Sequence, residues 1–219
     1  MATPTINVDV WSDLVCPWCH IGKRRFETAL AAFEHRDSVR VRWRSFELDP
    51  HGSAEPGLTL PERHRRDVAG TAEQARQNLQ RVTDLAAESG LTYRLDIARP
   101  VNSFDAHRLM HYADRAGHGE AVREALMRAY TAEGEVLSDI ETLVRIAAAN
   151  GLDATDTRAL LKSTAFADEV REDENLARTL GVSGVPTFVF ADRYAISGAQ
   201  SVEAFTRLLH QSWQETPAG

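Results

Sequence analysis

The residues best suited to chemistry are Cys16 and Cys19, the only two cysteines of the chain, separated by Pro17 and Trp18. A bridge between them closes too small a loop to constrain the unfolded chain much, so reversible exchange explains the pair better than stability does. If Cys16 is a helix N-cap, Pro17 takes the first helical position, where its missing N–H costs nothing and its fixed dihedral helps start the helix. Cys19 then lies one turn on, facing the same side, with the sulfurs near bridging range. Free N–H groups and the positive end of the helix dipole favour a thiolate at Cys16. The spacing thus assigns Cys16 as nucleophile and Cys19 as the deeper, resolving thiol: Cys16 forms a mixed disulfide and Cys19 cleaves it. Pro17 and Trp18 set the environment of the pair. Trp18 either offers substrate a flat apolar contact or packs over its own helix.

A second signal lies far along the chain, where Gly184-Val185-Pro186-Thr187-Phe188 puts a proline immediately before a strand. Proline is acceptable there because a strand's first residue forfeits no ladder bond. A cis Val185–Pro186 bond would turn the Val185 backbone towards the cysteines, to pair with an extended substrate; an ordinary trans proline is the alternative. Asp13, three residues ahead of Cys16, either relays a proton as Cys19 is activated or caps its own loop. His107 either approaches the site from a distant helix, with Asn102 ordering the loop, or is a helix-packing histidine. His20 points about 100° round the helix from Cys19 and reads as a packing or surface residue.

Other uses of these residues fit less well. Cys16-Pro17-Trp18-Cys19-His20 matches the C-x-x-C-H haem-attachment pattern, but a strand leading into Cys-Pro and a helix explains the same residues without a cofactor. Zinc would need two further ligands, and only His107 and His111 share a helical face. The expected chemistry is two-electron exchange with no bound metal or organic cofactor.

The 219 residues suffice for one large domain or a domain with a sizeable insertion, without a disulfide staple. A net charge of −7, from 25 basic and 32 acidic residues, does not favour nucleic acid as a partner. The run Arg63 to Arg66, and Arg40, Arg42 and Arg44, read as solvated faces. No apolar run approaches the roughly 20 residues of a membrane span, and the N-terminus reads as lacking a secretory signal. The cytoplasm is the expected location.

The elements that must position the cysteines follow from periodicity. Ile6 to Trp11 alternates as a strand, residues 17 to 34 read as a helix, and Val39 to Phe46 as a second strand. Asp49-Pro50 and a Gly- and Pro-rich stretch to Pro61 end that unit. A helical block follows. Thr71 with Gln74 suggests a capping box, as does Ser138 with Glu141. Helices are expected near 102–116, 121–131, 156–161 and 166–180, with a short extended piece at Leu91 to Asp96. Strand character returns at Thr187 to Phe190 and Tyr194 to Ile196, before a last helix from Ser201. The two ends, 1–50 and 183–219, form one sheet unit; 51–182, linkers included, is inserted between its halves.

Three stretches together resemble the disulfide-bond protein A (DsbA) group of thioredoxin-fold proteins, in its FrnE-like oxidoreductase branch. They are Asp13 to Cys19, Asn102 to Leu109 and Gly181 to Phe188, with Ile196 to Gln200 in support. The resemblance implies an α/β thioredoxin-like fold with a large all-helical insertion, a redox-active Cys16–Cys19 pair and a cis Pro186. It implies thiol or disulfide substrates, protein or small molecule, with a low-molecular-weight thiol as a candidate reductant. Cys-Pro-Trp-Cys departs from the Cys-Pro-His-Cys centre of the periplasmic oxidant, which argues against strong oxidation of secreted proteins. Related folds often self-associate, so a homodimer is compatible, without a particular apolar face to assign it. Two alternatives are a glutathione-dependent isomerase or transferase, related to 2-hydroxychromene-2-carboxylate isomerase and the kappa-class transferases, and a noncatalytic binding module of the same fold. The former typically carries serine where this chain has Cys16.

Overall fold

A computed structural model describes residues 5–67 and 71–216. The first four residues, on which the reading of the N-terminus rests in part, lie outside that range. The chain opens with β1 (Ile6–Ser12), α1 (Pro17–Ala32) and β2 (Val39–Ser45). A helical block follows: α2 (Leu60–Asp67), α3 (Ala72–Glu88), α4 (Phe104–Arg115), α5 (Gly119–Arg128), α6 (Ile140–Ala149), α7 (Ala154–Leu161) and α8 (Ala167–Thr179). It closes with β3 (Thr187–Phe190), β4 (Tyr194–Ser197) and α9 (Val202–Glu215).

The sheet runs β2-β1-β3-β4, with β1 parallel to β2 and antiparallel to β3. The two ends of the sequence therefore build one sheet, and a helical block, with no strand among its described residues, is inserted between its halves. The register sets Ser12 beside Ser45 and Trp11 beside Thr187, so the ends of β1, β2 and the start of β3 converge just below the cysteines.

Both faces of β1 are covered, as a central strand requires. On one face Ile6, Val8 and Val10 pack with Phe26 and Phe33 of α1, Phe188 and Phe190 of β3, and Phe205 and Leu209 of α9. On the other, Trp11 Nε1 donates to the Asp173 carbonyl of α8, and buried Asp9 accepts from Arg42 and Arg44. Arg44 also reaches Asp173 at 2.9 Å. Arg44, expected on a solvated face, thus ties the sheet to the insertion, while Arg42 pairs within the sheet, since a buried carboxylate must be paired. A second apolar core lies within the helical block and takes in Leu14, Cys16 and Cys19, which places the cysteine pair at the junction.

Four expectations need correction. The stretch beyond Pro50 does not stay irregular to the end of the unit, because α2 forms there; Glu62 accepts from both the backbone and the hydroxyl of Thr59 to start it. Leu91 to Asp96 joins no sheet: Leu91, Tyr93 and Leu95 are buried among helices, with no strand edge beside them. Ser138 does not cap α6. Asp139 does, accepting from Thr142 N–H at 2.7 Å, while the Ser138 hydroxyl turns to the Ala54 carbonyl. The helix from residue 17 ends at Ala32, two residues early, and the capping box at Thr71 and Gln74 is present as expected.

Candidate functional site

Cys16 is the N-cap of α1, in extended backbone, and Pro17 occupies the first helical turn. The Cys16 side chain caps no N–H of its own, so the sulfur stays available at the helix N-terminus. It lines a cleft, whereas Cys19 does not. Cys16 is 4% exposed and Cys19 0%, and both are free thiols. The Cys16 sulfur lies 4.0 Å from the Val185 carbonyl, the long end of a thiol hydrogen bond. The Val185–Pro186 bond is cis. Gly22, one turn below Cys19, makes room for Pro186: a Cβ there would stand 2.8 Å from the Pro186 ring.

Burial is the main reason the Cys19 thiol is pushed well above its ordinary value of 9.0, and a hydrogen bond and charge from Cys16 push the same way. The Asp13 N–H, donating to the Cys19 sulfur at 3.4 Å, and the Ser12 hydroxyl oppose this without overcoming it. Cys19 is therefore held as a thiol in the unbonded pair.

Asp13 is fully buried, and burial alone would raise its carboxyl. His107, the Leu48 N–H at 2.8 Å and Ser103 outweigh that and hold it below its ordinary 3.8. It also accepts from Val15 N–H at 3.3 Å, so one carboxylate fastens the loop before Cys16 to the segment after β2. A carboxyl held low is a poor store for a proton from Cys19, which favours its role in supporting the loop. Since its folded pKa lies below the unfolded one, its contribution to stability is present above about pH 4 and lost as pH falls through the folded value. Asp13→Asn is expected to lose about 1–3 kcal/mol at pH 7 and to show a shallower loss between pH 5 and 2; urea unfolding across that range measures both.

His107 is buried, and its Nε2 lies 3.4 Å from Asp13 Oδ1 without the alignment of a hydrogen bond. The structure thus brings His107 to the site. Asn102 does not reach the cysteines: its amide donates to Glu47 at 2.8 Å and its carbonyl accepts from Phe104 N–H, ordering the start of α4. His20 has both ring nitrogens engaged, near Thr131 at 3.4 Å and Glu124 at 3.2 Å. Glu124 also pairs with Lys23, which is buried among Glu27, Glu120 and Glu124 and anchors α1 to α5. His111 faces Ser45 and Asp173. Among the described residues no group of three or more His, Cys, Asp or Glu is arranged to hold a metal.

The cleft beside Cys16 encloses about 470 Å³, within the usual range of small-molecule sites. Val15, Leu48, Leu60, Val101 and Tyr130 give it apolar walls, and Trp18, 41% exposed, stands at its rim. Arg63, His64 and Arg81 also line it, together with Asp49 and Asp67. The run Arg63 to Arg66 is thus more than a solvated face: Arg63 turns inward and pairs with Asp49 at 2.5 Å. Sequence reasoning also missed Tyr93, whose hydroxyl donates to the Pro17 carbonyl at 2.8 Å and fixes the helix start. Its alternation with Leu91 and Leu95 was the available signal. No helix among the described residues is long and apolar enough to cross a membrane.

A family model described as DSBA-like thioredoxin domain matches residues 7–210. A probable DsbA oxidoreductase from Streptomyces coelicolor is 44% identical, with a TM-score of 0.94 over 98% of this chain and 93% of that one. The cytosolic disulfide reductase DsbM from Pseudomonas aeruginosa, solved with glutathione, is 16% identical, with a TM-score of 0.65 over 95% of this chain and 99% of its own. A 2-hydroxychromene-2-carboxylate isomerase is 17% identical, with a TM-score of 0.69 over 96% of this chain and 100% of its own. The last two share the fold.

Proposed function

Because the chain belongs to the DSBA-like thioredoxin domain family, we propose that it is a thiol–disulfide oxidoreductase working through Cys16 and Cys19. The observation that carries this reading is the division of labour between the sulfurs: one at a helix N-cap on a cleft, the other buried one turn below. The Cys16 thiolate attacks a substrate disulfide, forming a Cys16–substrate bond and releasing the other half as a thiolate. Cys19 then loses its proton and attacks Cys16, releasing the second half and leaving the Cys16–Cys19 disulfide. Once Cys16 is in a mixed disulfide its charge no longer opposes ionisation of Cys19, so the resolving thiol is released from part of its restraint only after it has work to do. The steps run in either direction according to the redox partner.

Val185 and Pro186 border the reacting sulfur, and the Val185 carbonyl is the backbone group that an extended substrate would meet. Pro17 and Trp18 shape the rim. The cleft favours a disulfide whose partner is small, such as a mixed disulfide of a low-molecular-weight thiol. With both cysteines in the reactive pair, a reducing compartment suits the chain, and the cytoplasm is the proposed location.

An isomerase reading has one observation in its favour, the fold shared with 2-hydroxychromene-2-carboxylate isomerase. Fold alone does not separate the two chemistries; the second sulfur does, since isomerisation at Cys16 has no use for Cys19 as a resolving group. Cys19→Ser treated with glutathione disulfide is expected to accumulate a stable glutathione adduct at Cys16, read by intact mass and peptide mapping, whereas the wild type proceeds to the internal disulfide. No adduct at Cys16 would count against the exchange mechanism.

A further inference from the structure

Attack by Cys16 creates a second anion. The helix N-terminus favours the attacking thiolate, while the sulfur that departs needs a donor of its own in the cleft. Tyr130 is placed to supply one. It lines the cleft together with Cys16, packs in the same buried cluster and is only 1% exposed. A buried tyrosine ordinarily spends its hydroxyl on a protein acceptor, as Tyr93 does on the Pro17 carbonyl. Among the described residues the Tyr130 hydroxyl has no such partner, yet it is not one of the sealed, unpaired polar atoms, which are Ser12 Oγ, His107 Nε2 and Ser212 Oγ. The ring is thus enclosed while the polar tip opens on the cleft. The backbone beneath it is unusual: Ala129–Glu133 forms a single turn of π-helix at the end of α5, a feature that recurs at functional sites. That turn is fastened to the active-site helix. The Thr131 hydroxyl lies 3.4 Å from Nδ1 of His20, the residue after Cys19, and the Thr131 carbonyl accepts from the Arg94 N–H at 2.8 Å.

We infer that the Tyr130 hydroxyl is the donor that stabilises the departing sulfur when Cys16 attacks, and that the cleft is thereby suited to disulfides of basic, aliphatic thiols. The inference rests on the reading of Cys16 as nucleophile. The Cys16 thiolate bonds to the nearer substrate sulfur, and the electron pair of the substrate S–S bond goes to the farther sulfur, which leaves as a thiolate. Tyr130 keeps its proton and donates a hydrogen bond; the thiolate takes a proton from water once it is outside. Cys16 is oxidised and the departing sulfur reduced, so no other oxidant or reductant takes part. Burial, and then the charges of Cys16 and Asp13, hold the Tyr130 phenol above its ordinary value, so it remains a donor at neutral pH. An aliphatic thiolate, being the poorer leaving group, gains most from such a donor. Other polar groups of the cleft are engaged or screened. Arg63 pairs with Asp49 and Asp67, His64 and Asn78 bond to each other at 3.3 Å, and Arg81 is exposed, where water weakens its pull.

The test compares Tyr130→Phe with the wild type, both reduced, in single-turnover reaction with two disulfides, one of a nitroaryl thiol and one of an aliphatic thiol, hydroxyethyl disulfide. The first thiolate released is followed in each. Loss of the hydroxyl is expected to slow release from the aliphatic disulfide by about tenfold or more, and from the nitroaryl disulfide by less than about threefold. Alkylation of Cys16 by iodoacetamide should keep its wild-type pH profile, because no sulfur departs in that reaction. The inference is overturned if release from the aliphatic disulfide is unchanged, or if both releases slow equally, which marks a merely disturbed cleft. It is also overturned if the alkylation profile shifts, which would assign the hydroxyl to the resting Cys16 thiolate instead. If Cys16→Ser still releases thiolate at the wild-type rate, the exchange reading itself fails, a result distinct from every outcome in Tyr130→Phe.

Discussion

Cys16→Ala is expected to lower disulfide turnover by about three orders of magnitude or more, the scale seen when a nucleophile is deleted from a group of residues acting together. The size follows from the structure. Among the described residues only one other cysteine exists, and it is fully buried and held as a thiol, so no second sulfur can take over the first attack. Turnover of a glutathione mixed disulfide, followed through coupled thiol release, measures the loss. A variant retaining a tenth or more of wild-type turnover would remove Cys16 as nucleophile. Folding should be undisturbed, because the Cys16 side chain caps no helix N–H whose partner would be lost.

Phe26→Ala carries the largest expected effect on stability. Phe26 is buried in the middle of α1, with its ring centroid 5.3 Å from Phe188, 6.0 Å from Phe190 and 5.6 Å from Phe205. One side chain therefore joins the active-site helix to the returning strand and to the last helix. Truncation leaves a cavity walled by three other rings that interlock and have little freedom to collapse into it. The expected cost is about 3–5 kcal/mol, or roughly 10 °C in apparent Tm for a chain of this size. Thermal unfolding followed by circular dichroism measures it, and a fall of under about 2 °C would mean that the site relaxes. Well below the transition, alkylation of Cys16 should keep its wild-type rate, since Phe26 lies on the helix face turned to the sheet.

What was legible in the sequence had a local cause. Ile6 to Trp11 alternates because a sheet alternates, and Cys16-Pro17 reads as a helix start because proline suits that place whatever surrounds it. The return of the chain at Thr187 was legible for the same reason. The errors fall where capping residues compete or where burial comes from distant elements. Ser138 and Asp139 both suit an N-cap, and the choice is made by Ala54, far away in sequence, which takes the Ser138 hydroxyl. Helix α2 lacks an apolar stripe, yet Thr59 and Glu62 at three-residue spacing were a capping signal in plain view. Arg63 looked solvent-facing because nothing local shows that α3 closes a cleft over it. In the site, the cysteines were assigned from spacing, whereas Tyr93 and Leu48 reach it only through tertiary folding.

The split sheet also has a meaning in time. Trp11 and Thr187 are neighbours in register, yet a ribosome making ~5–20 residues per second delivers them roughly ten to thirty-five seconds apart. Throughout that interval the nascent chain carries its reactive sulfurs without the Val185 carbonyl beside them, and for much of it without the helix bearing His107. Until the last segment emerges, the thiols of the surrounding medium, rather than the enzyme's own architecture, govern what those two atoms do.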